Sequence, residues 1–380
     1  MKEILLGAAI LALLISRRRW RMPAGWLLPL ALFAGGTVFA LLLSPDSRAG
    51  LPQIKKFYAY LIIPVLMSTL RGTADAALTL KLCLGAGVLS SILSFVQFGR
   101  KWLDAARQGQ DFYLHYVAQR TTGFMSHWQT FGGQLGILLV VALAFVLFAR
   151  CSPRERRWAG GALMVLVAAT ALNLTRGIYV ASALAIVYLL WSSRPRYLLV
   201  LPLVGIAALS VEPLRRRAVS LVRPQGEIDS NQHRWVTWRT GLAMIAAHPW
   251  LGVGPDRVDD EFKAYLPKDV THLPEGWYGH LHNTYLQYAA DRGIPVTLCL
   301  FWLLGRMLAD LLCSLRRTTS PWLVQAGIAA WTSVIVSGFT EANLANSEVL
   351  HLFLVTMVCA YQATRSATLE STDEFVDTLE

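Results

Sequence analysis

Three groups of residues carry the chemistry that this sequence offers. Arg176 stands between Thr175 and Gly177, where one apolar run ends and the next begins. A guanidinium there is costly unless it is paired or wetted, and no acid lies near it in sequence, so its partner is remote or a ligand. An interfacial arginine snorkelling to headgroup phosphates is the plainer alternative. Arg234, Trp238 and Arg239 fall on one amphipathic stretch, and Arg234 and Trp238, four apart, share a helix face. Guanidinium forks hold two oxygens at fixed geometry and keep their charge, which suits a diphosphate, while a ring beside them suits the apolar face of a sugar. A solvated cationic face is the simpler reading of the same pattern. The third group, His280-Leu281-His282-Asn283, leads into a helical segment. A helix N-terminus and nearby arginines disfavour the imidazolium and keep the ring available as a neutral base. Histidines two apart with no intervening glutamate do not form the zinc pair of a helix.

Other polar motifs read more simply. Leu251-Gly252-Val253-Gly254-Pro255 lacks the lysine of a phosphate loop and the strand of a dinucleotide fold, so it is a tight turn. Asp259, Asp260 and Glu261 read as acids at a helix start rather than as metal ligands, and Arg215, Arg216 and Arg217 as a membrane-surface anchor. Gly293 past a helix end and Pro295 opening the next element make about 283–291 a short helix feeding an apolar run. No metal or cofactor is expected.

The elements that must position these groups belong to a membrane protein. Of 380 residues, 54% are apolar and 16% charged, with a mean hydropathy of +0.44; a soluble domain carries about 25% charged residues. Apolar runs at about 3–15, 26–43, 57–70, 78–98, 131–149, 158–175, 177–191, 197–210, 294–313, 321–339 and 347–364 predict an all-α, polytopic transmembrane bundle of 11–12 spans. The five cysteines lie in or beside these runs, so no disulfide or zinc framework is readable. The net charge of +11 sits in short basic clusters at 17–21, 71 with 81, 150–157, 194 with 196, and 316 with 317, in every second connection. That alternation encodes orientation in a bilayer rather than nucleic-acid binding.

By this count the N-terminus lies outside, with a further helix upstream of Met1 a reasonable expectation, and the long loops at about 99–130 and 211–282 face outward. The chain divides into N-terminal transmembrane helices (1–210), an outward, partly helical loop domain (211–282), C-terminal transmembrane helices (283–364) and an acidic cytoplasmic tail (365–380). The loop domain carries Trp235, Trp238, Trp250 and Trp277, and its helix from Trp235 to about 247 stops before Pro249. Its first part (211–239) holds six arginines against three acids, and its second (251–281) six acids against Arg257, Lys263 and Lys268. The two ends either pair with each other or leave the basic end for an anionic ligand.

Taken together, Arg234-x3-Trp238, His248-Pro249-Trp250-Leu251-Gly252-Val253-Gly254, His282-Asn283, Gly293 eleven positions later, the Thr175-Arg176-Gly177 turn and Arg120-Thr-Thr-Gly-Phe124 resemble the O-antigen ligases and the related O-antigen polymerases. The chain departs from that pattern at Val180, where leucine is usual, and at Ser126-His127-Trp128-Gln129, which replaces a common His-Pro-Asn. The resemblance implies an inverting, metal-independent glycosyltransferase of the bacterial inner membrane, its site facing the periplasm. Such an enzyme moves O-antigen from an undecaprenyl diphosphate-linked donor to a sugar hydroxyl of the lipid A-core acceptor of lipopolysaccharide. It also implies His282 as base, Arg176 and Arg234, with Arg120 and Arg239, as diphosphate ligands, and His280, Asn283, Trp238 and Gly293 as supporting residues. An O-antigen polymerase or a protein O-oligosaccharyltransferase would use the same donor. A lipid-linked glycan flippase or transporter would place its polar site near the midplane, often within internal repeats, whereas these residues cluster at one face.

Overall fold

The computed structural model describes residues 6–8, 10–11, 20–220, 230–273 and 278–377, the side chains of 230 and 365–377 excepted. Most of the run at 3–15, together with Arg17, Arg18, Arg19, Arg223 and Trp277, lies outside the described residues. Those described are all-helical, with no strand among them. In chain order the helices are α1 (Ala24–Leu42), α2 (Leu51–Lys55), α3 (Ile62–Thr69), α4 (Thr73–Arg107), α5 (Phe112–Ala118), α6 (Trp128–Phe148), α7 (Pro153–Asn173) and α8 (Arg176–Ser193). There follow α9 (Val200–Leu209), α10 (Glu212–Val219), α11 (Ser230–Ala247), α12 (Val258–Glu261), α13 (Thr284–Ser314), α14 (Pro321–Ser337) and α15 (Ser347–Asp377).

Every apolar run from 26 onward is helical, the weakest two, 57–70 and 197–210, beginning in 3-10 turns at Lys56–Leu61 and Pro195–Leu199. Among the described residues five helices, α1, α4, α6, α8 and α13, are long and apolar enough to cross a membrane. A sixth candidate is the pair Pro195–Leu209 and Glu212–Val219, bent by 100°. The chain is thus a multi-pass membrane protein. The remaining runs fall short of that length or composition for visible reasons: α14 has 17 residues, and the first turns of α7 are charged, with Ser152 and Glu155 forming a capping box. α15 continues past 364 to Asp377, into the segment read as a tail.

The core is a continuous apolar cluster among α1, α3, α4, α6, α7, α8, α13, α14 and α15. Helix α6 is apolar and buried nearly all round, the signature of a central helix. The segment after α10 has a small core of its own, in which Val236 and Met244 of α11 meet Val253, Val258, Phe262, Leu281 and Ala290.

Two breaks position the site. Helix α7 ends on Leu174 in the left-handed conformation (φ 52°), Thr175 is extended, and α8 begins at Arg176. The two helices are therefore joined by a turn so tight that its side chains all emerge at one end of the bundle. Helix α13 breaks at Gly293 (φ 81°, ψ 166°). Its first arm (284–292) leaves from beside α14, where Thr284 N–H donates to Gly338 O at 2.8 Å. Its second arm (294–314) is the apolar one, and Tyr285 of the first packs 5.3 Å from Phe301 of the second, so the arms form a sharp V.

Candidate functional site

The Thr175 turn gathers cations from three separate segments. Arg120, in the loop between α5 and α6, donates from Nη1 to Thr175 Oγ1 at 3.2 Å and lies over the Trp128 ring at 5.2 Å. Arg176 is buried; its Nη1 donates to Ser220 O at 3.1 Å and its Nη2 to Asn231 Oδ1 at 2.8 Å. Its hydrogen-bond partners are therefore remote in sequence, and they tie the turn to the first turn of α11. Arg217 of α10, also buried, donates from Nε to Leu174 O at 2.8 Å. The expectation of a surface anchor at 215–217 is thus corrected. Only Arg215 is exposed, because the bend after α9 lays α10 across the turn, and Arg216 is held there by Asp111 at 2.7 Å and by the Tyr113 ring at 4.4 Å.

Among the described residues one acid faces this group, and sequence reasoning missed it. Glu341, 2% exposed, receives Arg234 Nη2 at 2.9 Å and Gln129 Nε2 at 2.6 Å. Its carboxylate also interacts electrostatically with Arg120 and Arg217. Burial pushes the Glu341 carboxyl up, against the pull of Arg234, Arg120 and Arg217. Burial and the neighbouring Arg217 push Arg120 down to about 9, still a cation at neutral pH. Among the described residues Arg120, Arg217 and Arg234 face this carboxylate and Arg176 stands on the same turn, an excess of positive charge suited to an anion. Glu341 sits at a turn between two apolar runs, the same signal that singled out Arg176. Gly177 fits here because a Cβ would run into the Thr340 hydroxyl.

The histidines close the other side. His282 is left-handed (φ 48°), and its N–H donates to His280 Nδ1 at 3.1 Å. Burial, with His233, His127 and Lys56 nearby, pushes His280 down to about 4. It is therefore neutral at physiological pH, with the Nδ1 lone pair that the His282 N–H requires. The His282 ring lies 4.0 Å from His280 and 5.1 Å from His233, and His233 immediately precedes Arg234 on α11. His127 caps α6 by accepting from Gln129 N–H at 3.2 Å, and burial together with Arg120 lowers its pKa. The segment that departs from the His-Pro-Asn pattern thus supplies a cap, a ring for Arg120 and a partner for Glu341.

The other sequence-predicted residues divide. Trp238 lies one turn beyond Arg234, and its buried indole N–H has no partner among the described residues. Arg239 does not join the group. Both arms of its fork are held by Asp269, at 2.7 and 2.8 Å, and this contact raises the pKa of the arginine and lowers that of the acid. Asn283 caps α13, accepting from Tyr285 and Leu286 N–H and donating to Phe339 O. Gly293 passes directly beneath the backbone of Trp250 and Leu251, where any Cβ would collide. Ile294 N–H donates to Pro249 O at 2.8 Å and Val253 N–H to Ala290 O at 2.7 Å. The Gly-rich segment is therefore a turn, as its composition suggests, and its task is to clamp α11 onto α13.

Residues 161–301, just over a third of the chain, match the family model described as O-Antigen ligase. The matched span holds α8, α11 and the first arm of α13, hence Arg176, Arg234 and His282; Arg120 and Glu341 lie outside it. No match was found among curated proteins.

Proposed function

We propose that this multi-pass protein is an O-antigen ligase of the bacterial inner membrane. It transfers O-antigen from undecaprenyl diphosphate to a sugar hydroxyl of lipid A-core on the periplasmic face. The observation that carries the reading is the gathering of Arg120, Arg217 and Arg234 around the buried Glu341 carboxylate, with Arg176 on the adjoining turn and His282 beside them, at one end of the helices. The match over 161–301 supports it. So does the charge pattern, since all these groups lie on the side opposite the basic connections.

The chemistry follows from the side chains. An acceptor hydroxyl oxygen bonds to the anomeric carbon as that carbon's bond to the diphosphate oxygen breaks, with inversion. His282 takes the hydroxyl proton, and the departing diphosphate carries the electron pair of the broken bond. Arg176 and Arg234 stabilise the charge developing on it, where fixed donors in a site with little water act most strongly. The sugar arrives already activated by its leaving group, so no nucleotide is needed. General base assistance is worth about 10²–10⁴-fold.

The test is reconstitution of the purified chain with lipid-linked glycan and, separately, a core-lipid acceptor or a second lipid-linked glycan. Product on the core lipid alone is expected. His282→Ala is expected to lower initial rates at least about a hundredfold with membrane insertion unchanged. Elongation of lipid-linked glycan would make the chain a polymerase instead, and normal rates with His282→Ala would remove that residue from the base role.

A further inference from the structure

Arg292 ends the first arm of α13, just before the break at Gly293, and is 2% exposed. Its Nη2 donates to Gln53 Oε1 at 3.0 Å. The guanidinium lies 4.4 Å from the Tyr288 ring centre and 5.8 Å from that of Phe33. Its Nε and Nη1 are buried with no hydrogen-bond partner among the described residues. Buried donors left unmet cost free energy, more so on a charged group, and they call for an ordered water or an ion.

Arg292 borders a cavity of about 20 Å³, walled also by Phe33, Gln53, Lys56, Tyr60 and Tyr288. On this scale about 10–15 Å³ holds one water, so a single group of that size fits and a phosphate does not. Lys56 opens the 3-10 turn before α3, is half-buried, and interacts electrostatically with Arg292. Among the described residues no acid lines the cavity. The acids within electrostatic reach of Lys56 are held from outside it: Asp256 accepts from Gln53 Nε2 at 2.8 Å, and Asp291, through one oxygen, from Gln287 Nε2 at 3.1 Å. Ser347, also on the wall, donates its hydroxyl to Glu348 at 3.2 Å. The charged groups on the wall are therefore cations, set among aromatic rings.

We propose that this cavity binds one halide ion, chloride in an ordinary saline medium, between Arg292 and Lys56. A bare halide is close to water in size, and it supplies the negative charge that the walls lack. The inference is independent of the transfer reaction. The ion ties the first arm of α13, which starts beside His282, to the turn that opens at Lys56. Water is the other occupant of that size. It hydrogen-bonds Arg292 without neutralising it, and gives no dependence on the identity of the salt.

The test is the melting temperature of the purified full chain in detergent, at constant sodium concentration, with chloride, bromide or gluconate as the anion. Gluconate is too large for the cavity. Chloride and bromide are expected to raise the melting temperature saturably relative to gluconate, because a ligand of the folded state stabilises it by mass action. Arg292→Gln is expected to abolish the difference between the salts, and Lys56→Gln to raise the half-saturating chloride concentration about tenfold or more. Arg239→Gln, which removes a guanidinium held by Asp269, is expected to keep the difference. Crystals grown in bromide are expected to show an anomalous peak beside Arg292. Where Arg292→Gln does not fold, Lys56→Gln and the bromide peak decide. Equal melting temperatures in the three salts, a difference undiminished in Arg292→Gln or in Lys56→Gln, or a bromide map without that peak would each overturn the proposal.

Discussion

Glu341 bridges Arg234 and Gln129 while buried, and removing one partner of such a set leaves the other charged and unpaired. Glu341→Ala is expected to lower the transfer rate more than tenfold, and Glu341→Gln, which keeps a hydrogen-bonding group at both contacts, to lose less; initial rates under saturating donor check this order. His280 gives a stability signature. Its pKa of about 4 lies below the unfolded value of about 6.5, so between these values the unfolded chain binds more protons and stability falls as pH is lowered. The loss on passing from pH 7 to 4 is on the order of 3 kcal/mol, and the melting temperature of the solubilised protein should drop across that window less steeply in His280→Asn. Arg176 stood out as a charge between two apolar runs, Arg234 by sharing a helix face with Trp238, and His282 by its place in His280-Leu281-His282-Asn283 at a helix start. Glu341 carried the same mark as Arg176, but nothing local told which remote groups it faces. Arg239 was misplaced for a geometric reason, since five residues along a helix rotate a side chain about 140° away from Arg234, toward Asp269.

The elements were legible where composition dictates them. Apolar runs became helices, Pro249 follows the end of α11, and Gly293 interrupts α13. The bend of α10 over the Thr175 turn was not legible, because it depends on Arg217 finding Leu174 O and Arg216 finding Asp111 across long sequence separations. Gly293 is the most exacting position. At φ 81°, ψ 166°, a region open essentially to glycine, and with the Trp250 backbone against it, an added methyl costs about 1–3 kcal/mol of backbone strain and forces α11 off α13. Gly293→Ala should remain membrane-inserted, expose the 230–273 segment to limited proteolysis and lose transfer activity. Protection equal to wild type would show that the clamp does not hold the site.

Across the whole molecule, charge is sorted by end. The basic connections at 71 with 81 and at 150–157 sit at one end of α4 and α7, and Arg120, Arg176 and Arg217 of the candidate site sit at the other. This polarity was legible from the alternation of basic connections, whereas the convergence of four arginines from four segments needed coordinates. The account rests on those arginines holding a diphosphate, and binding tests it most directly: affinity of the purified chain in lipid nanodiscs for undecaprenyl diphosphate, with Arg176→Ala, Arg234→Ala and Arg239→Ala beside wild type. The account predicts at least tenfold weaker binding for Arg176→Ala and for Arg234→Ala, with Arg239→Ala unchanged. Equal affinity in all four proteins, or a loss confined to Arg239→Ala, would contradict it.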